Sequence, residues 1–174
     1  MSRVGLALRS LMLLALIVWI GGIIFFSFVL APTVFTVLPT TKLAGDVVSV
    51  SLGKLHWMGF LSGLVFVIVS KIVQVIGLER KDPAIIAQRR LLFATHILVL
   101  VMLALTWISQ IYITPRIREL RSEMSTASNM SPSDELRQKF DRLHAWSTRT
   151  EGGVFFCGLV VVVLTARRFG EYSH

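Results

Sequence analysis

The sequence predicts an all-α polytopic membrane protein, a four-helix bundle with an amphipathic helical extension before the fourth span. Three observations predict it. Four apolar runs, Leu11 to Ala31, Leu55 to Leu78, Leu91 to Thr114 and Gly152 to Ala166, carry one Lys or Arg between them, Lys71. About 18 or more apolar residues suffice to cross a hydrocarbon core of about 30 Å. With 54% hydrophobic residues among 174 and a mean hydropathy of +0.72, a water-exposed version would present too much apolar surface. Lys and Arg gather at the ends of the runs, where they act as topology signals and headgroup contacts. The net charge of +8 is therefore read against a lipid bilayer and not against nucleic acid.

The spans are placed at about 7–31, 53–77, 90–114 and 147–167, with a polar loop and helix over 115–146, all in one domain of residues 1–174. Arg3 and Arg9 precede the first span as in a secretory signal. Its apolar stretch outruns a signal core of about 7 to 15 residues, and Ala31-Pro32-Thr33 is a poor cleavage site, so it is read as a retained span. It is expected to end before Pro32, because a proline ring disfavours helix in the residue ahead of it.

Pro39 falls in a short connector, and Leu43, Val47, Val48 and Leu52 give a helical lead-in to the second span. Glu79-Arg80-Lys81-Asp82-Pro83 reads as a tight turn with Asp82 as N-cap and Pro83 at the first helical position. The third span closes at Thr114, with Arg116 to Met124 as an optional charged continuation beyond Pro115. Ser125 to Ser131 is a loop by composition. A helix should then start at Ser131-Pro132-Ser133-Asp134-Glu135, place Leu136, Phe140, Leu143 and Ser147 on one face, and run into the fourth span.

Basic residues divide nine and nine between the two sides, with net charges of 9 − 3 = +6 and 9 − 7 = +2. The short basic second loop and the basic flank of the first span favour both termini in the cytoplasm of a bacterial inner membrane.

Ionisable groups at membrane depth are costly and mark function by default. His56 and His144 fall on the side of the third loop. His96 lies about 25 Å away at 1.5 Å per residue, so one metal or haem cannot join it to either. Glu151 is drawn into the bilayer because Gly152 to Ala166 alone is only about 22 Å long. Arg116 is its expected partner, with Arg149 as the substitute. The candidate site is thus a polar cluster of His56, Arg116, His144 and Glu151. Gly59 and Gly63 form a GxxxG expected to pack inside the bundle. Cys157 stands alone, which excludes an intramolecular disulfide and a cysteine-type zinc site.

With those residues in place, the chain resembles the transmembrane protein 205-like family, four-helix membrane proteins of unknown function. The resemblance rests on Trp19-Ile20-Gly21-Gly22 followed by Phe25-Phe26, Pro32 and Phe35, on Tyr112 to Pro115-Arg116, and on Phe140, Leu143-His144 and Ser147. The pattern departs where that family has asparagines, at Ser109, six residues before the proline, and at Glu151, seven after the histidine. A looser similarity links the chain to HemJ-type protoporphyrinogen oxidases and CopD-type copper proteins.

The expected function is a non-enzymatic small-molecule or ion-handling element, or an accessory subunit among the partners of a larger membrane complex. The alternative is a haem- or metal-binding membrane oxidoreductase using His56 and His144. No cofactor is predicted, and the identity of any metal is left open.

Overall fold

A computed structural model describes the backbone of residues 3–77, 84–126 and 134–170. Every regular element in these segments is helical. Helix α1 (Arg3–Phe25) passes through a π-helical segment (Phe26–Leu30) into α2 (Ala31–Val37). Helix α3 covers Thr41–Gly77. Helix α4 (Ala84–Ile108) passes through a second π segment (Ser109–Ile113) into α5 (Thr114–Thr126), and α6 covers Asp134–Gly170. The result is four long rods, each apolar and long enough to cross a membrane. The turn expected at 79–83, including Asp82 and Pro83, and the N-cap expected at Ser131 lie outside the described residues.

The structure corrects the expected end of the first helix. Neither Pro32 nor Pro115 ends its helix; both rods continue, one to Val37 and the other to Thr126. A proline inside an α-helix has no N–H to donate, and its ring collides with the carbonyl four residues back. In each rod a π segment immediately precedes the proline-containing helix. Its wider turn relieves that collision while keeping the chain helical. The first rod then stops at Leu38, which turns to extended backbone, and Thr40 caps α3 through its Oγ1, accepting from the Leu43 N–H at 3.2 Å.

The rods share one apolar core. Met12, Leu16, Trp19 and Ile20 from the first rod meet Phe66 and Val69 of α3, Val99 and Met102 of α4, and Val154 and Val161 of α6. The first rod packs chiefly on α3, and α4 chiefly on α6. Small residues permit this approach. A Cβ on Gly59 would lie 2.5 Å from Trp19 Nε1, and one on Gly63 would lie 2.7 Å from Trp19 Cζ3. Gly22 faces Leu55 and Met58 in the same way, whereas Gly21 faces open space. Leu14, Ile17, Phe28, Leu61, Leu100 and Val163 are exposed on the outside, as an apolar solvent requires.

Candidate functional site

The second π segment builds the site. Ser109 and Gln110 are adjacent in sequence, and in a regular α-helix neighbouring side chains diverge around the axis. Here both reach into one polar network. His56 of α3, with 2% of its surface exposed, lies between two rods. Its Nε2 lies 2.6 Å from Glu151 Oε1 and its Nδ1 2.8 Å from Gln110 Oε1, both within hydrogen-bond distance. Ser109 Oγ, fully buried, donates to the same Glu151 oxygen at 3.2 Å. Both ring nitrogens thus face an oxygen, and whichever of them carries a proton donates to the oxygen it faces. The Glu151 side chain is 15% exposed, so this pair is largely withdrawn from solvent.

Aromatic residues fix its depth. Trp57, Trp107, Tyr112 and Trp146 project outward on the three rods that carry the network, and Phe60 meets Trp107 edge-on at 5.3 Å. Trp and Tyr collect at membrane interfaces. The pair therefore lies near the rim of the apolar band, close to the charged boundary formed by Lys54, Arg116 and Arg149.

Of the four residues expected to cluster, the structure joins His56 and Glu151. Arg116 is elsewhere: its Nη1 donates to Glu119 Oε2 at 2.9 Å, one turn along α5, with both side chains more than half exposed. The expected Arg116–Glu151 pair is thus not formed: Arg116 pairs along its own helix, while His56 and Ser109 both meet Glu151 Oε1. His144 is exposed and stacks on Phe140, with ring planes 3° apart and centroids 6.0 Å apart. His96 back-bonds through Nδ1 to the Leu92 carbonyl at 2.7 Å. A metal or haem held by His56 and His144 would require His56 to surrender one of its two hydrogen bonds. Among the described residues no three His, Cys, Asp or Glu side chains gather as a metal-binding group.

Sequence reasoning missed Gln110. The available signal was an amide inside an otherwise apolar run. The two departures from the resembled family, Ser109 and Glu151, are hydrogen-bonded to each other.

Beside this network lies a cavity of about 550 Å³ between the first rod and α6. Phe26, Phe28, Phe35, Phe155 and Phe156 supply apolar walls, Pro32 and Ser147 also line it, and Glu151, Arg121 and His144 bring polar groups. Of the remaining family-pattern residues, Leu143 lines a separate charged cleft between α5 and α6.

The apolar rods support a multi-pass integral membrane protein. The family model described as "Domain of unknown function (DUF4149)" matches residues 14–126, and the chain belongs to that family. No curated protein and no solved structure matched the chain. The matched region contains His56, Ser109 and Gln110, while Glu151 lies beyond it on α6.

Proposed function

We propose that the protein is a non-enzymatic, ion-handling element of a membrane, and that the ion is a proton exchanged at His56 and Glu151. The observation that carries this reading is the 2.6 Å contact between a buried imidazole and a carboxylate near the rim of the apolar band. An ionisable pair there is expensive unless it is fully satisfied or used. Imidazole titrates within the physiological range more readily than any other side chain. Gln110 supports the same reading: as placed, its carbonyl accepts from Nδ1, and rotating the amide by half a turn would present a donor to a deprotonated Nδ1. The side chain can thus serve either protonation state without a backbone movement.

In this reading both termini face the cytoplasm of a bacterial inner membrane, and the sequence pattern resembles that of the transmembrane protein 205-like proteins. The direct test is proton flux into vesicles containing the purified chain, under an imposed pH gradient with potassium and valinomycin to clamp the potential. The native protein should dissipate the gradient, and Glu151→Gln should slow dissipation at least tenfold. A native protein that leaves the gradient as intact as protein-free vesicles do would overturn the reading.

A further inference from the structure

Arg121 on α5 differs from the other described arginines of its helix. Arg116 is paired with Glu119, and Arg118 donates to Ser49 Oγ at 2.8 Å and to the Ser49 carbonyl at 3.2 Å. The Nη1 of Arg121 is buried and has no hydrogen-bond partner. Its nearest carboxylate oxygen, on Asp46, is 4.0 Å away, beyond hydrogen-bond reach. The guanidinium lies 5.7 Å from the centre of the Phe140 ring and lines the phenylalanine-walled cavity between the first rod and α6. A buried, unsatisfied N–H on a permanent cation is costly unless an acceptor occupies the space before it.

From this juxtaposition we propose that the cavity binds a long-chain fatty acid, with its carboxylate on Arg121 and its hydrocarbon tail between the first rod and α6. This goes beyond the proton reading of His56 and Glu151 and does not depend on it.

Depth, shape and charge support this occupant. Arg121 lies five residues past Arg116, about 8 Å beyond the charged boundary and at the outer edge of a headgroup layer. The lining along α6 runs from His144 to Phe156, about 18 Å at 1.5 Å per residue, and so reaches from that edge into hydrocarbon depth. Phe28 and Phe156, both well exposed, leave its side open toward lipid. At about 550 Å³ the cavity falls within the size range of small-ligand pockets. The guanidinium fork matches a carboxylate in two parallel hydrogen bonds. The cavity's own carboxylate, Glu151, is turned toward His56 and Ser109 and lies about 10 Å along α6 from His144, so it does not face the head position.

The test uses the full chain in nanodiscs of phosphatidylcholine, with cis-parinaric acid as the fluorescent probe and its methyl ester as the comparison. Saturable binding of the acid is expected, with the ester at least tenfold weaker. Arg121→Gln should weaken the acid about tenfold or more and leave the ester unchanged. Gly152→Leu should abolish binding of both: Gly152 lines the cavity, and a Cβ there meets nothing within 4 Å, so the side chain starts into open space. Equal affinity for acid and ester would overturn the proposal, and that comparison needs only the native protein. Displacement of the probe by phosphatidylglycerol but not by palmitate would overturn it as well, in favour of a two-chain phospholipid site.

Discussion

The indole of Trp19 lies across Gly59, so that a single carbon added to that glycine would come within 2.5 Å of the ring nitrogen. Trp19 is 2% exposed and held in the core by neighbours from the other rods, so it cannot swing aside. Gly63, one turn further on, faces the same ring and Leu103. Gly63→Leu should therefore lower the thermal midpoint in detergent by an overpacking cost of about 1–3 kcal/mol or more. Mass by light scattering should not change. A changed mass with an unchanged midpoint would mean that this face contacts another copy.

Glu151 and His56 should behave as a coupled pair. Removing the carboxylate in Glu151→Ala leaves the buried Nε2 of His56 without its partner, at the cost of breaking a buried pair, about 3–5 kcal/mol. The double variant His56→Leu with Glu151→Leu should be less destabilised than that single variant, because neither polar partner remains. Denaturation in a mixed-micelle urea or detergent titration would show the order, and additive losses would argue against coupling.

Arg116 supplies the contrasting case. Its partner is the exposed Glu119 one turn away, and exposed pairs of this kind contribute about 0–1 kcal/mol. Arg116→Ala should change stability by no more than about 0.5 kcal/mol and leave any proton flux intact. A loss comparable to that of Glu151→Ala would mean that Arg116 reaches the carboxylate in the membrane.

Reporter fusions at Thr126 and at the C-terminus should report opposite sides of the membrane, with the C-terminal fusion cytoplasmic. Both on one side would reject a four-span topology.

The spans were legible because hydropathy over 18 or more residues is a property of length and composition alone, which rotation of a helix does not disturb. Pro32 was misread for a physical reason: it carries the ordinary signal for a helix boundary, and the π turn before it has no comparable sequence signature. The continuation past Pro115 was foreseen, but the π turn that carries it was not. Without the π segment, the rotation of α5 relative to α4 cannot be worked out, and Arg116 looks like the natural counter-ion of Glu151. His56 and Glu151 were expected in one cluster because polar groups stand out against apolar runs and alternating span directions bring them to similar depth. Their contact depends on inter-rod rotation, which no run of residues encodes.

The length of the rods has a mechanical consequence. Thirty-five helical residues, as in Arg3–Val37 and Arg90–Met124, extend about 52 Å, against about 30 Å of hydrocarbon. Fitting them inside by tilting would take an angle of about 55°, beyond the 0–40° seen for membrane helices. The surplus has to stand outside the hydrocarbon, in the headgroup layer and the water beyond it. Arg116 to Met124 and Asp134 to Arg149 hold most of the charge on that side, so the membrane surface there carries a stiff stump of packed helices. An antibody fragment that grips this stump would be rigidly coupled to the buried rods, and any rotation within the bilayer would be transmitted to the fragment as a lever.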